Sequence, residues 1–291
     1  MAAELDGSNT IRPLDLGIDG RPELLFLPSV DLATGRLTGF EALVRWDDPT
    51  QGLISPDELI PWAEANGHMT ALNEWVLSEA CAAAVTWGSE IQVAVNCSAR
   101  QLRRHEVAVA ATAALSSSGL APHRLTIEVT DRALADDDAL VDLRAISLMG
   151  IQLSVDDLRS DWWALGKLPL FAVTTTRPLA VNTMKIDGSL IVGIDESGSA
   201  NRTIVETIVK VTHSLDLRTV AESVETEGQV AVLREIGVDA AQGYFFAAPL
   251  AADEATALTR LELPFFPLSD SHAKHLRRPD PSGRAEAASS S

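Results

Sequence analysis

Polar residues able to do chemistry stand where apolar, strand-like runs end: Glu41, Asn96, Glu128, Asp156 with Asp157, Lys185, Glu222 and Gln242. Side chains spread so widely along a chain meet only if their strands lie side by side. A barrel of β/α units collects strand ends on one rim, and that rim is where such folds keep their chemistry. Carboxylates gathered there repel one another unless positive charge sits between them, so the pattern calls for divalent cations held by oxygen ligands. The adjacent pair Asp156-Asp157 makes the strongest case, because neighbouring carboxylates after a buried run are costly without a cation. Taken singly, each residue has a plainer reading: a solvated cap for Glu41 or Glu128, a turn former for Asn96, a surface lysine for Lys185, a strand end for Gln242. Their joint placement reverses that judgement.

The elements that must position these residues alternate in type. Residues 23–31 and 37–45 are apolar runs joined by the turn-like Ala33-Thr34-Gly35-Arg36, which predicts a hairpin carrying Glu41. A capped helix starts at Ser55-Pro56-Asp57-Glu58 and stops at Asn66-Gly67, and a second spans about residues 70–87. Strands then follow at 91–96, 124–130, 151–156, 181–186, 218–222 and 240–242, separated by amphipathic stretches at 105–118, 135–148, 200–215 and 226–236. The run Asp136-Asp137-Asp138 reads as an acidic N-terminal cap. Such alternation predicts a parallel α/β sheet, closed as a modified TIM-type (β/α)8 barrel with an irregular first strand. Residues 1–22 read as a loosely ordered lead-in, 23–263 as the single barrel domain, and 264–291, rich in Ser, Ala and Arg toward its end, as a disordered tail.

Composition narrows the function. The 291 residues carry a formal net charge of -18, which argues against non-specific binding to a nucleic acid polymer or to an anionic membrane surface. An anionic small ligand stays permitted, because bound metal ions can supply local positive charge. Cys81 and Cys97 lie in apolar contexts without metal-type spacing and read as buried thiols of a reducing compartment. No signal-type start or spanning apolar segment is visible, so a cytoplasmic location is expected.

The short motifs resemble, in order, those of EAL-domain cyclic di-GMP phosphodiesterases. Glu41-Ala42-Leu43-Val44-Arg45-Trp46 is similar to the family signature, Val95-Asn96-Cys97-Ser98 to its Asn-x-Ser segment, Leu125-Thr126-Ile127-Glu128-Val129-Thr130 to its Glu-x-Thr strand, and Val155-Asp156-Asp157 to its paired aspartates. Lys185-Ile186-Asp187, Ala221-Glu222-Ser223-Val224-Glu225-Thr226 and Gln242-Gly243-Tyr244 complete the series. The resemblance implies two Mg²⁺ or Mn²⁺ ions. Glu41, Asn96, Glu128 and Asp156 would bind the first, and Asp156, Asp157 and Glu222 the second. It also implies that Lys185 positions or deprotonates the attacking water, that Glu225 orients neighbouring groups, that Arg45 and Gln242 contact substrate, and that the product is linear pGpG. A homodimer is a further expectation of the resemblance.

This chain departs from the family pattern in the loop after the paired aspartates. The family's Phe-Gly-Thr-Gly-Tyr-Ser-Ser is replaced by Leu158-Arg159-Ser160-Asp161-Trp162-Trp163, which removes the positive-φ freedom of the glycines. The stretch before Lys185 is longer than usual by roughly eight residues, about two helical turns, with 170–177 the expected insertion. Asp131, which would anchor that loop, replaces a glutamate, and Leu27 replaces a glutamine before Pro28. The competing expectation is therefore a catalytically weak or inactive EAL domain acting as a cyclic di-GMP receptor or protein-interaction module.

Overall fold

A computed structural model of the chain describes residues 20–102, 105–158, 181–261 and 265, with the side chains of Asp157 and Leu158 outside the description. Strands β1 (Arg21–Asp31) and β2 (Leu37–Asp48) form the expected hairpin, with Leu27 opposite Glu41. Asp31 closes its turn by accepting hydrogen bonds from the Thr34 amide and hydroxyl, both at 2.8 Å. The first strand begins at Arg21, slightly earlier than the sequence pattern indicated. A short strand β3 (Gly52–Ile54), absent from the sequence reading, pairs with the far end of β2.

The remaining strands are β4 (Gln92–Asn96), β5 (Leu125–Thr130), β6 (Gln152–Leu158), β7 (Thr183–Ile186), β8 (Arg218–Ala221) and β9 (Ala240–Gln242). They pair in parallel from β2 through β4 to β9, and β1 closes the ring by pairing antiparallel with both β2 and β9. The result is a closed eight-stranded barrel, with β3 outside it and β1 as its irregular member.

Helices α1 (Pro56–Asn66) and α2 (Met69–Val85) follow the hairpin, and α4 (Glu106–Ser118), α5 (Asp137–Leu148), α6 (Ala200–His213) and α7 (Glu227–Ile236) occupy the predicted amphipathic stretches. Two shorter helices, α3 (Ala99–Leu102) and α8 (Ala252–Leu258), had too few turns to show a period. Asp136 caps α5 as expected, accepting from the amides of Asp138 and Ala139. The apolar core lies between the outward strand faces, with Val93, Val95, Ile127, Val129, Leu153 and Val155 buried, and the helices that cover them. Phe26, Phe40 and Trp87 seal one sector, the Phe40 and Trp87 rings lying 4.7 Å apart.

One close approach fixes the chain where two functional strands end. The Val224 amide donates to the Gln242 carbonyl at 3.1 Å, and the Phe245 amide donates to the Val224 carbonyl at 2.9 Å. Gly243 sits between them with φ 147°, where a Cβ would collide with the Val224 backbone. Gly243→Ala is expected to destabilise the fold by about 2 kcal/mol or more, strain of this kind costing ~1–3 kcal/mol before the collision is counted. Urea unfolding monitored by circular dichroism checks this.

Candidate active site

The parallel register brings the polar strand ends to one rim. Asn96 lies beside Glu128, Asp156 beside Thr130, and Lys185 beside Val220 across neighbouring strands. Glu41 reaches the same centre from β2, and Gln242 from β9. Glu222 stands just past the end of β8. The next residue, Ser223, takes a left-handed conformation at φ 54°, uncommon for a residue with a side chain, at this sharp change of direction.

Lys185 is the hub. Its ammonium lies 3.0 Å from Glu41 Oε2, 2.8 Å from Glu128 Oε2, 2.6 Å from Glu222 Oε1 and 3.8 Å from Asp156 Oδ2. The side chain is 1% exposed, so these four pairs act in a medium far less screening than water. Two amides complete the net. Asn96 Nδ2 donates to Glu41 Oε1 at 2.6 Å, while Gln242 Nε2 donates to Glu41 Oε2 at 2.6 Å and to Glu222 Oε1 at 3.1 Å.

The electrostatics divide the carboxylates. Burial pushes the Glu41 carboxyl up, but Lys185 and the Asn96 and Gln242 amides outweigh it and leave the group below its ordinary range. Glu128 lacks those amide donors, and burial with the charges of Glu41 and Asp156 overcomes Lys185 and raises it well above that range. Glu222 is pushed up to about 7 by burial and by the charges of Asp156 and Glu41, with Lys185 opposing. For Lys185, burial works against the charged form, yet the surrounding carboxylates prevail and raise its pKa well above that of a free lysine. One ammonium among four carboxylates leaves a formal excess of three negative charges.

That donor set fits a hard divalent cation, which prefers carboxylate and amide oxygens and would relieve the excess charge. In the described geometry no three acidic, histidine or cysteine side chains already form a metal cage among the described residues. The carboxylates instead fold around the Lys185 ammonium, which supplies the cationic centre. Of the residues singled out in the sequence, Glu41, Asn96, Glu128, Asp156, Lys185, Glu222 and Gln242 converge here. The Asp157 backbone is in β6, and its side chain lies outside the described residues.

Three others are not part of the hydrogen-bond and ion-pair net just described. Arg45 Nη1 donates to the Val44 carbonyl at 2.8 Å. Glu225 is exposed, its backbone amide held by Gln229 Oε1 at 2.7 Å. Asp131 opens a 3-10 turn after β5, and the loop it was expected to anchor falls within the undescribed residues 159–180, as do Trp162 and Trp163 and the insertion at 170–177.

Beside the cluster lies a groove of about 400 Å³ with Asn96, Glu128 and Asp156 along it. Its apolar wall includes Leu43, Ile60 and Leu72, and its polar wall Asn73, Ser98 and Gln101. Gln101 Oε1 accepts from the Ser98 amide at 2.7 Å. Leu43 and Ser98 stood in motifs noted in the sequence, whereas Ile60, Leu72 and Asn73 carried no functional signal, because each comes from a helix whose approach to the rim only the fold reveals.

A barrel with one antiparallel strand and an acidic rim around a lysine defines a class, and comparison with known proteins places the chain within it. The model of the EAL domain matches residues 18–249, and the chain belongs to that family. It is 37% identical over 238 residues to the cyclic di-GMP phosphodiesterase NbdA of Pseudomonas aeruginosa, covering 80% of this chain and 29% of NbdA. The chain therefore spans under a third of that relative's length. Among solved structures it is similar to the PaMucR phosphodiesterase in complex with c-di-GMP, with TM-score 0.73, 33% identity, and coverage of 80% of this chain and 94% of that one. It is also similar to a calcium and cyclic di-GMP complex of BlrP1 from Klebsiella pneumoniae, with TM-score 0.67, 27% identity, and coverage of 79% and 56%. No helix among the described residues is long and apolar enough to cross a membrane.

The raised Glu222 pKa has a sign that can be checked. Between its unfolded value near 4.5 and its folded value of about 7, the folded state holds a proton that the unfolded state has lost. Stability of the metal-free protein contributed through this group is thus present at pH 4.5 and falls as pH rises to 7. Glu222→Gln is expected to remove that part of the slope, on the order of 2 kcal/mol across the window. Urea unfolding at a series of pH values in chelator checks it.

Proposed function

We propose that this chain is a divalent-metal-dependent phosphodiesterase that opens cyclic di-GMP to linear pGpG. The observation that carries the reading is the convergence of Glu41, Glu128, Asp156 and Glu222 on Lys185 at the strand-end rim of the barrel. Family membership and the c-di-GMP complex of a 33% identical structure support the choice of substrate.

Two Mg²⁺ or Mn²⁺ ions, when bound, would clamp a phosphodiester and lower the pKa of a bridging water. Glu41, Asn96, Glu128 and Asp156 would hold one ion, and Asp156, Asp157 and Glu222 the other. Lys185 keeps its proton, as its raised pKa requires, and so acts as a donor that orients the attacking water and offsets charge developing on the phosphoryl oxygens. Gln242 fixes Glu41 and Glu222 through its amide nitrogen, and its amide group also suits a guanine edge. Arg45 would contact substrate and Glu225 would orient neighbouring groups, both from outside the cluster itself. The groove beside Asn96 and Asp156 offers an apolar wall and amide groups for a base. A cytoplasmic setting fits a nucleotide second messenger and two buried free thiols.

Purified protein with Mn²⁺ is expected to convert cyclic di-GMP to pGpG over many turnovers, resolved by ion-pair chromatography. Lys185→Ala and Glu41→Ala should each lower kcat by at least about 100-fold, the scale of losing one transition-state donor or ligand. Tight nucleotide binding by calorimetry with intact substrate after prolonged incubation would replace this reading with that of a cyclic di-GMP receptor.

A further inference from the structure

The barrel interior beneath the carboxylates is not packed in the usual way. In such barrels bulky branched side chains fill the axis in layers. Here the inward residue two positions before a rim group is small or hydroxylic on six strands, Gly39, Ala94, Thr126, Ser154, Thr183 and Ala240, and bulky and branched on one, Val220 before Glu222. Strand alternation turns these residues inward with the rim groups, and together they border a cavity of about 70 Å³. The cavity reaches Glu41, Glu128 and Gln242 at its upper end, and Gln92 and Arg218 at its lower end. Arg218 is half-exposed, so the lower end lies near the opposite face of the barrel.

A second observation points to what fills it. Ser154 is 1% exposed, and its Oγ has no hydrogen-bond partner among the described residues. A buried hydroxyl left unpaired costs ~1–3 kcal/mol, so a native fold pairs such a group with ordered water. Dry cavities are apolar, whereas a polar one needs only ~10–15 Å³ of this kind of volume per water. The space under the rim is several times that size and edged by hydroxyls.

We propose that the barrel axis is a water-filled shaft, with Ser154 as its hydrogen-bonding post, that carries water from the N-terminal face of the barrel to Glu41 and Glu128. Opening a phosphodiester consumes one water for each bond cleaved, and a substrate lying over the rim screens the cluster from bulk solvent on that side. The shaft admits water from below while the rim is covered. As a supply route it rests on the hydrolytic reading above. The waters themselves do not.

The test joins a structural and a kinetic readout. In a high-resolution crystal structure of the wild-type chain, ordered waters are expected along the axis, one of them ~2.7–3.0 Å from Ser154 Oγ. In solution, ¹⁷O magnetic relaxation dispersion is expected to count the same long-lived waters. Ser154→Val fills the shaft and removes the hydroxyl. It should lose those waters and lower kcat at least tenfold, with KM for cyclic di-GMP and the affinity for Mn²⁺ unchanged. Should Ser154→Val fail to fold, Ala240→Val narrows the shaft from another strand and is read in the same way. A dry axis in an active wild-type enzyme, or a closed shaft with wild-type kcat, would overturn the proposal. A wild-type protein that holds the waters and never hydrolyses cyclic di-GMP would instead overturn the hydrolytic reading, and the supply route with it.

Discussion

One buried ammonium surrounded by more negative charge than it can balance is the constraint on which this structure turns. Lys185 lies within ion-pair distance of Glu41, Glu128, Asp156 and Glu222, nearly sealed from solvent. Desolvating such groups costs several kcal/mol per ion, and a single counter-charge does not offset it for four partners. The fold resolves the imbalance unevenly. Glu41, supplied with two amide donors, stays ionised, while Glu128 and Glu222 are driven toward their protonated forms. Charge left unbalanced in a packed interior is a cost to the fold, and the divalent cations of the proposed reaction would relieve it.

The architecture supplies the convergence. Parallel strands deliver their ends to one rim, and the antiparallel β1 closes the ring so that Gln242 of β9 reaches Glu41 of β2 across the sequence. The hydrogen bonds that clamp Val224 between Gln242 and Phe245 hold the ends of β8 and β9 together, and the left-handed Ser223 turns the chain immediately after Glu222. Under the rim, small and hydroxylic inward residues leave the axis open where other barrels pack it. Site, ring closure and axial cavity thus follow from one pattern of alternation on short strands.

Much of this was legible in the sequence because it rests on local signals. Asn96, Glu128, Asp156 and Gln242 stand at or within two residues of a strand's end, while Glu41, expected at the end of a run, lies inside β2; the order of runs and amphipathic stretches specified a barrel. Asp136 announced its helix cap, and Gly67 its helix stop at φ 77°. Three features escaped for physical reasons. Helices α3 and α8 are too short for a period, and β3 is a few residues added to a strand that the hairpin had already explained. The central role of Lys185 as the shared partner of four carboxylates is a matter of distance in space, and spacing along the chain does not encode it. The inward hydroxyl at Ser154 was present as the residue two before Asp156, a period-two signal that acquires meaning only once the strand is known to line a barrel.

The central claim is that the rim is built to exchange its lone ammonium for divalent ions, and anomalous diffraction from Mn²⁺-soaked crystals tests it most directly. The account predicts anomalous peaks within ~2.0–2.3 Å of oxygens of Glu41, Glu128, Asp156 and Glu222, with the Lys185 ammonium displaced from between Glu41 and Glu222. A saturating soak that leaves no peak at the rim, with Lys185 still bound by the same carboxylates, would contradict it.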